Sequence, residues 1–201
     1  MPRAIPYTKM KISPLELRRQ MFHLLLGTAI AILVHFRIVG LNILLLALCA
    51  GFVISMLSKH YDIIFVSWFL KRFERPEAKF PGEGAFFLVA GSALALAVFP
   101  RNIALASIMI LAFGDSFSHL FGKAYGKRKF AHKTLVGTAA GIISGFVGAL
   151  LFVSPWLAFI GAGIAMLFEA FNLKVFGHKI DDNLFIPLAS SAVMYAWTLL
   201  F

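Results

Sequence analysis

Apolar residues in this chain gather into seven long runs, approximately 20–36, 38–57, 84–99, 103–121, 135–153, 156–173 and 184–201. Each comes close to the roughly 17–25 residues a helix needs to cross the hydrocarbon of a bilayer, the third run being short for a full crossing. A further stretch from Ile63, IIFVSWFLKRFERP, is apolar for too short a length and ends in Lys71, Arg72 and Arg75. That pattern predicts a helix lying in the membrane interface. The expected fold is all-α, a polytopic membrane bundle of about seven transmembrane helices plus one interfacial helix.

Composition agrees with that reading. The 201 residues are 60% hydrophobic and 14% charged, with a mean hydropathy of +0.87, whereas soluble domains are about 45–50% apolar. No Ser/Gly/Pro-rich linker divides the chain, so residues 1–201 read as a single integral-membrane domain. Cys49 is the single cysteine and lies within an apolar run; it reads as a packing residue. The first run follows a long basic segment and lacks a small-residue cleavage site, so the N-terminus is expected to be retained.

Charge then orients the bundle. Arg3, Lys9, Lys11, Arg18 and Arg19 precede the first run, Lys59, Lys71, Arg72, Arg75 and Lys79 lie in 58–83, Lys123, Lys127, Arg128, Lys129 and Lys133 in 122–134, and Lys174 and Lys179 in 174–183. These 17 stand against Arg37 and Arg101 on the other side, which predicts N-terminus in and C-terminus out. The net charge of +10 therefore points to anionic lipid headgroups and not to nucleic acid. The chain is expected in a cell membrane, or in the endoplasmic reticulum membrane of a eukaryote, with its site on the cytoplasmic side.

All nine acids fall on that inner side. Asp115 and Glu169 lie inside apolar runs, where a carboxylate costs about 2.5–3.5 kcal/mol and is tolerated only when paired or facing water. Asp181, Asp182 and Asn183, at the entry of the last run, add oxygen ligands of the kind Mg²⁺ prefers. Mg²⁺ in turn suggests phosphate.

Residues 113–138, FGDSFSHLFGKAYGKRKFAHKTLVGT, read as one half of a phosphate site. On a helix Asp115, His119 and Gly122 share one face. Gly122 and Gly126 let backbone approach a ligand, Lys123, Lys127, Arg128, Lys129 and Lys133 offer charge, and Thr134 to Gly137 opens a helix whose amides favour an anion. The run is not a Walker loop, because Gly122 to Gly126-Lys127 is one residue short and no strand precedes it. His119 fits a packed bundle histidine equally well. Gly137, Gly141 and Gly145 also form a four-residue repeat suited to close helix packing.

The combination of Gly114–Thr138, Glu169 and DDNLFIPL (Asp181–Leu188) resembles the membrane family of dolichol kinases, phytol kinases and CTP-dependent diacylglycerol kinases. The opening ELRRQMFHLLLG (Glu16–Gly27) is similar to that family's acid, Arg-Lys and His pattern, with Gln20 where lysine is more usual. The resemblance implies phosphoryl transfer from CTP to the hydroxyl of a membrane lipid, a polyprenol such as dolichol first and diacylglycerol as the alternative. It places nucleotide binding at Gly114, Ser116, His119, Gly122, Lys123, Gly126, Lys127, Lys133, Thr134, Gly137 and Thr138. Mg²⁺ is expected on Asp115 and Asp182, with Glu169 as a further ligand. Asp181 or Glu169 is expected to orient or deprotonate the hydroxyl, and Asn183 to hold a metal-bound water. Arg19, His23 and Glu83 are candidate substrate contacts, although an ion-pair stripe with Glu16 explains Arg19 and His23 as well, and a polar helix start explains Glu83. Phosphatidate cytidylyltransferases share the middle motif but end in a His-Gly-Gly…Asp-Arg signature, which this chain replaces with Asp-Asp-Asn. A small transporter is the rival outside enzymes, yet the outer half of the chain carries almost no polar groups for a substrate path. A homodimer stays open.

Overall fold

The computed structural model describes residues 12–75, 77–171, 174–175, 178–179 and 181–201. Helix α1 spans Pro14–His35, α2 Leu41–Ser58, α3 Ile64–Phe73 and α4 Glu83–Val98. Next comes one continuous rod of 25 residues, Arg101–Tyr125. It consists of α5 (Arg101–Met109), a π-helical stretch (Ile110–Asp115) and α6 (Ser116–Tyr125). The bundle closes with α7 (Leu135–Ala149), α8 (Pro155–Phe171) and α9 (Asp182–Leu200). Two short antiparallel ribbons sit in the loops: β1 (Lys129–Phe130) with β2 (Lys133–Thr134), and β3 (Lys174–Val175) with β4 (His178–Lys179).

Local chemistry sets the helix starts. The Ser13 hydroxyl accepts the Glu16 amide at 3.2 Å and Pro14 occupies the first turn, so α1 begins six residues before its apolar run. Its first turn and a half carries Glu16, Arg18 and Arg19. Thr134 caps α7 through the Gly137 amide at 3.1 Å, and Asp181 caps α9 through the Asn183 amide at 2.9 Å. Gly82 takes φ 79°, a left-handed turn that leads into α4.

The expected helical architecture stands, and every apolar run coincides with a helix. Among the described residues, four helices are both long and apolar enough to cross a membrane: α1, α2, the 101–125 rod and α9. The apolar helices α4, α7 and α8 are shorter, at 16, 15 and 17 residues. At 1.5 Å per residue, 15 residues reach about 22 Å against a hydrocarbon core of about 30 Å.

The central rod is the axis of packing. Ala104, Ala106, Ile108, Ile110, Leu111 and Ala112 have no exposed surface, and α1, α4, α7, α8 and α9 all pack around them. Missing side chains permit these approaches. A Cβ on Gly27 would lie 2.6 Å from the Ala112 Cβ, and one on Gly141 would lie 2.8 Å from the Met166 sulfur and 3.0 Å from the Gly114 carbonyl oxygen. The close-packing reading of the Gly137–Gly145 repeat therefore accounts for Gly141, the helices meeting there backbone to backbone. The periphery is apolar and exposed, as on α2 with Leu45, Leu46, Phe52, Val53 and Ile54.

Candidate active site

The π-helical turn ends at Asp115 and aims its carboxylate into the junction of α1, α6 and α8. Asp115 is buried. Its Oδ1 lies 3.3 Å from His119 Nε2 and 3.9 Å from Lys133 Nζ, and its Oδ2 lies 3.9 Å from His23 Nε2 on α1. Glu169, in the last turn of α8, is buried at 3% exposure and ion-pairs with Lys133, whose Nζ also sits 3.0 Å from His119 Nε2. Lys133 lies in β2, outside the apolar helices. Burial alone would lower its pKa, but the Glu169 and Asp115 carboxylates outweigh that and raise it. The ammonium is therefore committed to carboxylates.

A wider polar network extends from the start of α1. Glu16 accepts from Arg19 at 2.7 Å and from Gln20 at 3.1 Å, pairs with Lys123 Nζ at 3.0 Å and lies 4.0 Å from His119 Nδ1. Ser116 Oγ donates to the Gln20 carbonyl at 3.3 Å, joining the rod to α1. The ion-pair stripe expected at this end of α1 is present for Glu16 and Arg19, and His23 points past it to Asp115.

Ligand atoms of Asp115, His119 and Glu169 lie within 4.8 Å of one another. Asp115 Oδ1 and Glu169 Oε2 are buried with no hydrogen bond of good geometry, an arrangement that costs about 1–3 kcal/mol per group unless something satisfies it. Two hard carboxylates converging on one point fit a divalent cation such as Mg²⁺. Asp115, Glu169 and His119 form this tight donor set, while Asp182, the other expected ligand, lines a cavity that Asp115 also reaches.

Asp115 and Asp182 do share a cavity of about 430 Å³. Arg19, His23, Glu83, His119, Asp181 and Asn183 line it as well, so the candidate substrate contacts and the last motif reach one space from four helices. Glu83 Oε2 accepts the Lys79 amide at 2.9 Å, and Asn183 Nδ2 donates to the Gly84 carbonyl at 3.4 Å, which ties α9 to the start of α4. Burial, with the Asp182 and Glu83 carboxylates adding to it, pushes the Asp181 carboxyl up to about 6 against the opposing Asn183 amide. The lining is aromatic as well: Phe22 meets Phe69 at 4.9 Å and Phe73 at 5.5 Å between ring centres.

The middle motif divides. Gly122, Gly126 and Gly137 face Thr134 and one another: a Cβ on Gly126 would lie 2.4 Å from Thr134 Oγ1, and one on Gly137 2.7 Å from the Ser118 carbonyl oxygen. Gly114 packs against Met166, a Cβ there falling 2.9 Å from the sulfur. These glycines let α6 and α7 approach. Thr138 is buried with its hydroxyl unbonded. Lys127, Arg128 and Lys129 are exposed and outside the cavity wall. Arg3, Lys9 and Lys11 lie outside the described residues.

Sequence reasoning missed the segment between α3 and α4. Glu74 Oε1 accepts the amides of Gly82 at 2.6 Å and Glu83 at 3.2 Å, and burial nonetheless raises its pKa. Arg75 and Lys79 join the cavity wall from the same segment. The dense charges of FERPEAKFPGEG, directly after an amphipathic helix, were the available signal.

Three curated relatives align with this chain. The CTP-dependent diacylglycerol kinase 1 of Schizosaccharomyces pombe is 28% identical over 141 residues, covering 60% of this chain and 63% of the relative. A probable chloroplastic phytol kinase of Triticum aestivum is 27% identical over 130 residues, and probable phytol kinase 1 of Glycine max 29% over 134, each covering 56% of this chain and 43% of the relative. The chain thus spans less than two thirds of the relatives it matches. No family model and no solved structure matches it. At modest identity, the relatives bear out the resemblance to the polyprenol and lipid kinase family read from the motifs.

Proposed function

We propose that this chain is an integral-membrane kinase that transfers the terminal phosphoryl group of CTP to the hydroxyl of a membrane lipid alcohol. The observation that carries the reading is one cavity lined by acidic and aromatic side chains together. Asp115, Asp181 and Asp182 line it together with Phe22, Phe69 and Phe73, which suits a reaction between a phosphate donor and a lipid headgroup. The names of the relatives point the same way, toward CTP as donor and toward diacylglycerol or phytol as acceptor. An isoprenoid alcohol of the polyprenol type is the acceptor we place first, with diacylglycerol as its rival.

In the reaction the acceptor oxygen forms a bond to the γ-phosphorus, the bond from that phosphorus to the β-γ bridging oxygen breaks, and the hydroxyl proton leaves. Little covalent work falls to the protein, so positioning and charge compensation carry the catalysis. Mg²⁺, when bound, would neutralise phosphate charge, and Asp115 with Glu169 offers the buried oxygens to hold it. Asp181 lines the cavity while Glu169 is committed to Lys133, which favours Asp181 as the group that orients the acceptor hydroxyl and receives its proton. A carboxyl near 6 is ionised at neutral pH and more basic than a free aspartate. Asn183 and Glu83 hold α9 and α4 in register around it. His23 and Arg19 define the α1 side of the same space.

We further propose seven crossings with the N-terminus inside, the short helices α4, α7 and α8 being completed by the loops at their ends, and α3 lying in the interface. Arg72 over the Trp68 ring at 4.7 Å, beside exposed Ile64 and Phe65, supports the placement of α3.

The test is a transfer assay. Detergent-purified protein is incubated with Mg²⁺ and either γ-labelled or base-labelled CTP, or with ATP, against a panel of polyprenol, phytol and diacylglycerol. Label from the γ position in a lipid monophosphate is expected, with CTP preferred. Base label in the lipid would instead mark a cytidylyltransferase, and no transfer to any acceptor overturns the reading.

A further inference from the structure

We infer that Arg75 and Lys79, in the segment between α3 and α4, form the binding site for the phosphate chain of a nucleoside triphosphate. The inference deepens the kinase reading and rests on it for the identity of the nucleotide. A triphosphate carries close to four negative charges, and the cavity supplies carboxylates in plenty: Glu74, Glu77, Glu83, Asp115, Asp181 and Asp182 all line it. Cations have to offset both. The cations expected for this task are occupied or turned away. Lys133 is bonded to Glu169, Lys123 to Glu16 at 3.0 Å and Arg19 to Glu16 at 2.7 Å, while Lys127, Arg128 and Lys129 are exposed outside the wall. Arg75 and Lys79 line the cavity, and among the described residues no carboxylate lies within ion-pairing distance of either.

The segment is built to present them. Glu74 accepts the Gly82 and Glu83 amides, Glu83 accepts the Lys79 amide at 2.9 Å, and the Ala78 amide bonds to the Arg75 carbonyl at 3.2 Å. Two of the acids are thus spent on the segment's own backbone, which leaves its cations to act on a ligand. Independently, Asp115 Oδ1 and His23 Nε2 are buried polar atoms with no hydrogen bond of good geometry, and both residues line this same cavity. A polyanion held at the Arg75 and Lys79 rim, with a cation toward Asp115, gives every one of these groups a partner. Arg supplies a planar fork for two phosphate oxygens and Lys a point charge.

Equilibrium binding of CTP and of inorganic tripolyphosphate to the purified full chain tests the site, at fixed Mg²⁺ and over a range of salt. Arg75→Gln with Lys79→Gln is expected to weaken both ligands by about tenfold per cation removed. It should raise KM for CTP far more than it lowers kcat and flatten the salt dependence. Arg75→Lys with Lys79→Arg keeps the charge and should retain most of the binding, which separates lost charge from lost fold. Lys59→Gln with Lys71→Gln removes two exposed cations outside the cavity and should leave Kd unchanged. Equal binding of both anions by the parent and by the Gln pair overturns the inference. So does a Gln pair that keeps its CTP affinity but loses stimulation by phosphatidylglycerol nanodiscs, because the cations then serve a lipid headgroup. A parent that binds tripolyphosphate through these residues yet phosphorylates no lipid alcohol upholds the phosphate site and defeats the kinase reading. A parent that binds neither anion defeats both.

Discussion

Asp115 sits among His119, Lys133 and His23, at 3.3, 3.9 and 3.9 Å, and still keeps an oxygen that no good hydrogen bond satisfies. A structural ion pair would have closed that gap. Asp115→Asn preserves size and removes the charge, so it should lower kcat by roughly 100-fold or more while the protein inserts and melts at or above the parent temperature, since an incompletely satisfied buried carboxylate is costly. Near-parental turnover with saturating Mg²⁺ and CTP would return Asp115 to a packing role. Glu169 behaves differently because Lys133 depends on it. Glu169→Gln leaves a buried ammonium with Asp115 at 3.9 Å as its remaining carboxylate, and breaking a buried pair from one side costs about 3–5 kcal/mol. Glu169→Gln with Lys133→Met should recover most of that stability and none of the activity. Denaturation in detergent checks both, and a double variant no more stable than the single would show that the pair is not the source of the loss. The buried placement of Asp115 and Glu169 was legible in the sequence because a carboxylate in an apolar run demands an explanation. Their shared lysine was not, since Lys133 was one of five cations in its loop and its pairing depends on how β2 folds back onto α8.

Helices were legible because apolar runs of this length, ended by Gly40, Gly82, Pro100 and Pro155, leave the chain little choice. The helix α1 starts six residues before its apolar run, since Glu16, Arg18 and Arg19 interrupt the apolar pattern while the Ser13 cap carries the helix through them. The π-helical turn had no sequence signal at all, and it is what rotates Gly114 and Asp115 relative to the apolar face of α5. Contacts between helices were half legible: glycine spacing announced a close approach without naming the partner. Gly91 makes the point. A Cβ there would lie 2.3 Å from the Asn183 carbonyl oxygen and 2.9 Å from Pro187 Cγ, at the seam where α4 meets the first turns of α9. Backbone cannot yield as a side-chain tip can. Gly91→Ala should therefore force α9 away from α4, cost about 1–3 kcal/mol and raise KM, because Asp181 to Asn183 move with α9. Gly163→Ala, with nothing within 4 Å of its Cβ, should be neutral or slightly stabilising. Thermal melts and KM measured side by side decide it, and equal behaviour of the two variants would mean that the α4–α9 seam is slack.

The molecule as a whole is a bundle whose apolar residues face outward as well as inward, with its charges collected at one end. Arg101 bonds the carbonyls of Val34 and His35 at the end opposite the cavity, so one of the two outer cations is used in closing α1. Near that end Trp197 meets Trp156 edge-on at 5.9 Å and stacks on Phe201 at 4.5 Å, as an interfacial aromatic group does. Trp68 with Arg72 marks the cavity end. Convergence of Asp115 and Asp182, 67 positions apart in the chain, could be guessed only from chemistry, and α9 packing on the rod supplies it. The proposed orientation of this bundle rests on the 17-to-2 division of basic residues, and it decides whether the cavity opens toward nucleotide at all. In a Cys49→Ser background, needed because Cys49 is exposed, Lys127→Cys should resist an impermeant maleimide on intact cells and react after permeabilisation. Arg37→Cys should react from outside in both cases. The reverse pattern would put the cavity on the outer face, out of reach of cytosolic CTP, and the charge bias would then have to reflect anionic lipid on that side.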